Sequence, residues 1–314
     1  MNSSKFSRAG EDPDHWLWQE YYQAFPVFST ETVRAGCHPR KMIHSAGAEQ
    51  AIVLVHGLSD SPYFMSAIGE YFHNALGYNV YIPLLQCHGL KSPRGMTGVA
   101  LAEWLKNVRF AVGSATQGAA RLSFGGLSMG GALGYFLSCI DPVITGDLYL
   151  FSAALGLAAG PGLFPGWFKE WLLRLPLVKT LGSTSSLVGN NPYRYNRVSL
   201  NSAGELAHLI HKINQLPFQL TDTSNPTRRI FAAWSECDKV INVSKLRELQ
   251  RRIPADRFVP FIIPAIDHVE HACVVLKDSI HATGTEVGET PPLESANPRF
   301  TEMLVAISRF ATGG

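Results

Sequence analysis

Residues 122–131 read Leu-Ser-Phe-Gly-Gly-Leu-Ser-Met-Gly-Gly and place Ser128 at the centre of a Gly-x-Ser-x-Gly motif. A predicted buried strand precedes Ser128 and a predicted helix follows it, which is the context that a nucleophile elbow requires. Gly126 and Gly130 leave room for a turn so sharp that neighbouring side chains would collide. Ser128 Oγ is then expected to project above the sheet, where the helix N-terminus favours developing negative charge.

The glycines of this motif have two other possible roles. Gly126, Gly130 and Gly134 could serve only as small residues that let a helix pack closely. A phosphate-binding loop is excluded, because no Lys-Ser or Lys-Thr pair follows the glycines and the dinucleotide spacing is absent. The position between strand and helix favours a catalytic serine.

Apolar runs without polar alternation recur along the chain, a pattern typical of strands that are covered on both faces. They lie at residues 51–55, 79–85, 121–127, 146–151, 228–234 and 257–263. Helical patterns lie between and after them, at residues 62–76, 101–115, 129–139, 242–252 and 299–310. This alternation predicts an α/β fold with an open, mostly parallel central sheet flanked by helices. Before it, only weak strand signals are found, around residues 26–33.

One interval, residues 156–227, breaks the alternation. It contains Trp167, Phe168 and Trp171, then a polar loop, then a helical pattern at residues 200–216. A structureless loop of that length is uncommon in a compact domain. We therefore predict a helical cap insertion over the carboxyl edge of the sheet, with residues 1–155 and 228–314 forming the core domain.

Composition excludes several other classes of protein. Of the 314 residues, 46% are apolar, which is enough for a large buried core and excludes a disordered chain. Lys and Arg number 27 against 25 Asp and Glu, and no basic block stands out, so no nucleic-acid partner is expected. Charged residues make up only 17%, which suits a protein that handles apolar ligands or forms oligomers without proving either.

The cysteines and the uncharged stretches bear on the compartment. The five cysteines are odd in number and widely spaced, which argues against a disulfide framework or a zinc site and favours a reducing, cytoplasmic location. No apolar signal-peptide core follows the N-terminal residues. Residues 148–168 carry no charge, but six glycines and prolines interrupt them, so we expect a buried strand and a loop rather than stable membrane insertion.

Several stretches together resemble the α/β-hydrolase family, in particular its carboxylesterase, monoacylglycerol lipase and serine aminopeptidase-like branch. Residues 56–62 read His-Gly-Leu-Ser-Asp-Ser-Pro after the first long strand, and residues 84–89 read Leu-Leu-Gln-Cys-His-Gly after the second. Trp104 and the elbow around Ser128 add to the resemblance. The family's second loop often reads Gly-His-Gly where this chain has Cys-His-Gly. The resemblance implies a catalytic triad in the chain order serine, acid, histidine.

An oxyanion hole is expected to accompany the nucleophile. One donor would be the backbone N–H of Met129, the residue after the serine. The resemblance places the second donor in the loop after residues 56–57, where Leu58 is preferred and Ser59 is the alternative. His56 is expected to order this loop rather than to act as the base, because the family's base comes last in the chain.

The acid and the base are each expected after a late strand. Asp238 matches the family's loop aspartate followed by apolar residues, with Glu236 as the rival. His271 matches the family's histidine followed by small and apolar residues better than His268, which is the second choice for the base. The member of each pair that is not catalytic would be a solvated loop residue.

The expected reaction is hydrolysis of a carboxylic ester through an acyl-enzyme intermediate, with no metal or organic cofactor. The substrate would be a small-molecule ester with a short to medium acyl chain, with monoacylglycerols as a narrower option. Trp167, Phe168 and Trp171 suit an apolar acyl pocket, although they could simply pack the cap onto the core. The alternatives are a peptidase, an amidase or a carbon–carbon bond hydrolase of the same fold, and a non-catalytic binding protein.

Overall fold

A central sheet organises the chain. The computed structural model describes residues 16–92, 96, 98–158, 190–216, 228–284 and 290–313, with the backbone of residues 183–186. The strands are β1 (Arg40–Met42), β2 (Gln50–Val55), β3 (Asn79–Ile82), β4 (Arg121–Leu127), β5 (Leu148–Phe151), β6 (Ser183–Ser186), β7 (Arg197–Ser199), β8 (Ile230–Ser235) and β9 (Phe258–Ile263). Seven of them form one sheet in the order β1-β3-β2-β4-β5-β8-β9. Only β1 pairs antiparallel with its neighbour, so the predicted fold class is confirmed.

Helices cover the sheet on both faces. They are α1 (Gln19–Ala24), α2 (Tyr63–Leu76), α3 (Leu101–Thr116), α4 (Met129–Ile140), α5 (Leu200–Gln215), α6 (Val243–Arg252) and α7 (Phe300–Thr312). Short 3₁₀ turns follow β9 at Ala265–Asp267 and Ala272–Val275. Local sequence explains several ends: the Ser199 side chain accepts from Ser202 N–H to start α5, and Gly77 ends α2 at φ +74°.

The core has two layers because successive side chains of a strand point to opposite faces. Ile52 and Leu54 of β2 belong to one apolar cluster with residues of α2 and α7. Ala51, Val53 and Val55 belong to the other, with residues of α3, α4 and α5. All five are fully buried, which explains why the strand reads as a continuous apolar run.

The N-terminal region differs from the prediction. Residues 26–33 form turns rather than a strand, and Val33 makes only an isolated bridge to Leu90. The turn is stabilised locally, since Thr32 N–H donates to Ser29 Oγ at 3.1 Å and Ser29 N–H donates to Thr32 Oγ1 at 2.9 Å. The one-turn helix α1 and the short edge strand β1 were not predicted, because elements this short show no periodicity.

Two further boundaries were wrong. The strand predicted over residues 79–85 ends at Ile82, because Pro83 has no N–H to donate to a ladder. The polar loop predicted within residues 156–227 contains an antiparallel pair, β6 and β7.

Helix α5, at the end of the predicted cap, packs against the core. Its Leu206, Leu209 and Ile210 are buried in the same apolar cluster as α3 and α4. Glu205 Oε2 also accepts a hydrogen bond from Leu101 N–H at 3.0 Å, at the start of α3. The division into core and cap stays a prediction. None of the helices within the described ranges combines the length and the apolar character that a membrane span needs.

Candidate active site

Ser128 lies on a strained turn between β4 and α4. Its backbone has φ +52° and ψ −114°, a conformation that L residues rarely adopt, and the residue is 6% exposed. A Cβ atom on Gly126 would lie 2.3 Å from the Gly130 carbonyl carbon, and one on Gly130 would lie 2.0 Å from the Val55 carbonyl oxygen. Both glycines are therefore required by the turn itself. Gly134 fits the packing interpretation, since a Cβ there would meet the Phe124 ring at 2.4 Å.

The loop after β2 lies directly against the serine. A Cβ atom on Gly57 would be 3.2 Å from Ser128 Cβ and 2.3 Å from Asp60 Oδ2. The loop is a tight turn in which Asp60 N–H donates to Gly57 O at 3.3 Å and Ser59 takes φ +71°. Leu58 lies inside this turn. Met129 begins α4, and the first N–H groups of a helix have no carbonyl partner within the helix.

His56 uses both ring nitrogens to hold this loop. Nδ1 lies 2.9 Å from Gly57 O, and Nε2 accepts from Leu85 N–H at 3.2 Å, so the bonding assigns the proton to Nδ1. Burial, and then the neighbouring His88, lower the pKa of His56 well below its usual range. A neutral ring with both nitrogens occupied orders the loop and cannot serve as the base.

Asp238 and His271 are brought together by a hydrogen bond. His271 Nδ1 lies 2.7 Å from Asp238 Oδ2, while Asp238 Oδ1 accepts from Val240 N–H at 2.9 Å and from Ile241 N–H at 3.2 Å. The Asp238 side chain is fully buried. Burial raises the pKa of Asp238, but the hydrogen bond and charge interaction with His271, together with the two backbone N–H groups, hold it below its usual value. The carboxylate therefore stays ionised and can orient the imidazole.

The rival residues lie outside this pair. Glu236 is exposed, accepts from Ala265 N–H at 3.2 Å and forms an ion pair with Arg247 at 3.7 Å. His268 is exposed and has a left-handed backbone at φ +51°. The geometry thus favours Asp238 and His271 over Glu236 and His268.

The topology places the three candidate groups on one edge of the sheet. Ser128 follows β4, Asp238 follows β8 and His271 follows β9. These strands run parallel, with β5 between β4 and β8, so their carboxyl ends meet at the same edge. Trp167, Phe168 and Trp171, the predicted acyl-pocket residues, lie outside the described residues.

A buried ionic cluster adjoins the site and was not predicted. Arg194 lies 3.1 Å from Asp60 Oδ1 and 3.1 Å from Glu294 Oε1. Asn191 Nδ2 also donates to Glu294 Oε1, at 2.8 Å. Burial raises the pKa of Asp60 and of Glu294, and the positive charge of Arg194 opposes this in both. The three charged residues are far apart in the chain, so no spacing in the sequence could have revealed the cluster.

A cavity of about 370 Å³ opens beside His271. Its wall combines charged side chains, namely Arg194, Lys239, Glu270 and Glu294, with apolar ones such as Val240 and Ala272.

The described part of the chain has no assembled metal site, since no group of three or more His, Cys, Asp or Glu side chains there is arranged to hold a metal ion. No disulfide joins the cysteines, which are Cys37, Cys87, Cys139, Cys237 and Cys273.

Comparison with known proteins defines the class of this chain. The model of the alpha/beta hydrolase family matches residues 52–277, so the chain belongs to the α/β-hydrolase family. It is 30% identical over 144 residues to the thermostable monoacylglycerol lipase of Bacillus sp. (strain H-257). That alignment covers 46% of this chain and 53% of the Bacillus protein, so the chain matches about half the length of this relative.

Solved structures share the fold over most of the chain. A structure from the metagenome-derived lipolytic enzymes LipS and LipT has a TM-score of 0.62 at 18% identity, covering 90% of this chain and all of the other. A soluble variant of the monoglyceride lipase of Saccharomyces cerevisiae has a TM-score of 0.63 at 12% identity, covering 87% and 90%. At these identities the similarity shows a common fold.

Proposed function

We propose that this protein is a serine hydrolase that cleaves carboxylic esters through an acyl-enzyme intermediate. The observation that carries the proposal is the 2.7 Å hydrogen bond between His271 and a buried Asp238, at the sheet edge where Ser128 occupies a strained elbow. An acid, a base and a nucleophile on one edge are what acyl transfer needs.

The reaction begins when His271 Nε2 takes the proton of Ser128 Oγ as that oxygen attacks the ester carbonyl. The carbonyl oxygen becomes an oxyanion, which the N–H groups of Leu58 and Met129 stabilise. His271 then gives its proton to the leaving alcohol oxygen, and the C–O bond breaks to leave an acyl-Ser128. Water, deprotonated by His271, then attacks this acyl group. The C–O bond to Ser128 breaks, His271 returns the proton to Ser128 Oγ, and the acid is released.

The cavity beside His271 is our candidate for the site of the alcohol part of the ester, because His271 lines it and must protonate the leaving oxygen. Its charged side chains can form hydrogen bonds with the free hydroxyls of a glycerol. Together with the similarity to the Bacillus monoacylglycerol lipase, this favours monoacylglycerols as a narrower substrate class. An acyl pocket formed by Trp167, Phe168 and Trp171, and a cytoplasmic location, stay predictions.

A panel of esters tests the proposal. Hydrolysis of p-nitrophenyl esters of rising acyl length and of 1-monoacylglycerols is measured for the wild type and for Ser128→Ala. We expect the wild type to be active. The variant should retain at most about 10⁻⁴ of the wild-type rate. Strong preference for aminoacyl amides would contradict the ester assignment, and an inert wild type would indicate a binding protein.

The base is tested by a matched pair of variants. His271→Ala should lose activity as Ser128→Ala does, whereas the exposed His268→Ala should keep most of it. The reverse result would assign the base to His268.

A further inference from the structure

A single arginine connects a segment of the predicted cap to the loop that carries Leu58. Arg194 Nη2 donates to Ser59 Oγ at 3.2 Å, and Nε forms an ion pair with Asp60 Oδ1 at 3.1 Å. The next residue reinforces the link, since Tyr195 N–H donates to Ser59 O at 2.8 Å. The arginine side chain is only 11% exposed, so these contacts are made away from water.

These contacts hold Leu58 from both sides. On its N-terminal side, the Asp60 carboxylate lies against Gly57, where a Cβ atom would be only 2.3 Å from Asp60 Oδ2. On its C-terminal side, Ser59 is held in a left-handed backbone conformation by Arg194 and by Tyr195. A non-glycine residue in that region is strained and persists only where its surroundings fix it. The direction of the peptide N–H between these two anchors therefore depends on the arginine.

Two further contacts, with Glu294 and Phe64, keep the guanidinium of Arg194 in place. Nη1 donates to Glu294 Oε1 at 3.1 Å, and the guanidinium lies 5.6 Å above the centre of the Phe64 ring. Without the cation, the carboxylates of Asp60 and Glu294 would face each other in a buried site. The two carboxylates would then repel each other or take up a proton, and Asp60 would move away from Gly57.

We propose that Arg194 is a positioning residue that aims the Leu58 N–H at the oxyanion of the tetrahedral intermediate. It does this through Ser59 and Asp60, and not by contact with the reacting ester group. This inference rests on the proposed function, because it assigns a support to that function's oxyanion hole.

Arg194→Ala tests the inference when kcat is referred to titrated active sites. A fluorophosphonate counts the reactive serines, so that misfolded protein does not enter the rate. We expect kcat to fall about 10- to 100-fold with KM changed less than about twofold, since a misaimed donor weakens only the transition state. Affinity for a boronic acid, which forms a tetrahedral adduct with the serine, should fall by the same factor.

Rescue separates positioning from general stability. Methylguanidinium, added far below denaturing concentrations, should restore part of the kcat of Arg194→Ala. Arg194→Lys should lie between the wild type and Arg194→Ala, because one ammonium can reach Asp60 but lacks the second arm for Ser59. Arg229→Gln is the matched control: Arg229 also pairs with a buried carboxylate, Asp147, at 2.7 Å, but it precedes β8 at the opposite edge of the sheet and should leave kcat unchanged.

The outcomes are distinct. If the wild type hydrolyses no ester, the proposed function itself fails. If the wild type is active but titrated Arg194→Ala has the wild-type kcat and boronic acid affinity, only the inference on Arg194 is overturned. A rate loss that Arg229→Gln reproduces and methylguanidinium does not restore would also overturn it.

Discussion

Replacing Asp238 by asparagine keeps the shape of the side chain but turns one of its two hydrogen-bond acceptors into a donor. Oδ1 accepts from the N–H groups of Val240 and Ile241, and Oδ2 accepts from His271 Nδ1. In the variant, the amide oxygen must face the two backbone donors, so the amide NH₂ faces His271. The imidazole then has to accept at Nδ1 and carry its proton on Nε2, where it cannot take a proton from Ser128.

The expected magnitude follows from the loss of a competent base. We expect kcat for a p-nitrophenyl ester to fall about 10³- to 10⁴-fold, which corresponds to about 4–5.5 kcal/mol in the barrier. Initial rates are measured on protein whose circular dichroism and melting temperature match the wild type. Glu236→Gln, at the exposed rival carboxylate, is the control and should keep its rate within about twofold. If Asp238→Asn retains more than about a tenth of the rate, the assignment of the acid is wrong.

Two further predictions concern packing and pH. Gly130→Ala puts a Cβ atom 2.0 Å from the Val55 carbonyl oxygen. We therefore expect the free energy of unfolding, measured by urea denaturation, to fall by about 3 kcal/mol or more. A variant with the urea midpoint of the wild type would contradict the close packing at the elbow. Burial lowers the pKa of His88 from 6.5 to about 4, so the unfolded chain binds this proton at a higher pH than the folded chain does. The contribution of the neutral His88 to the free energy of unfolding is therefore complete above pH 6.5. It is lost as the pH falls toward 4, at up to about 1.4 kcal/mol per pH unit. Urea midpoints of His88→Gln should therefore fall less steeply with decreasing pH than those of the wild type, and identical slopes would refute this.

The sheet was predictable because its central strands are covered on both faces. Val53 and Val55 point to one layer and Ile52 and Leu54 to the other, so every position must be apolar and the run stands out. The elbow was predictable for a similar reason, since close backbone approach at Gly130 leaves no other residue possible. The short elements α1 and β1 depend on tertiary contacts, such as the hydrogen bond from the Tyr21 hydroxyl to Leu84 O at 2.6 Å, which no local pattern encodes.

The candidate site also contains residues that the sequence indicates and residues that only the folded structure reveals. Asp238 and His271 each follow a late strand, and the resemblance to the family already preferred them to Glu236 and His268. The hydrogen bond between them, which supports that choice, exists only in the folded chain. Arg194 gave no signal, because it lies 134 residues from Asp60 in a polar stretch and only the folded chain brings the two together. Burial and partners, which decide what such a residue does, are properties of the three-dimensional structure.

Labelling by a fluorophosphonate shows whether Ser128 is a nucleophile activated by His271 and Asp238. The intact protein is treated with the reagent, and the site of attachment is located by mass spectrometry of its peptides. We expect one phosphonyl group per chain, carried on Ser128, and slow or absent labelling in His271→Ala. Stoichiometric labelling at another serine, or none in an active wild-type protein, would contradict it.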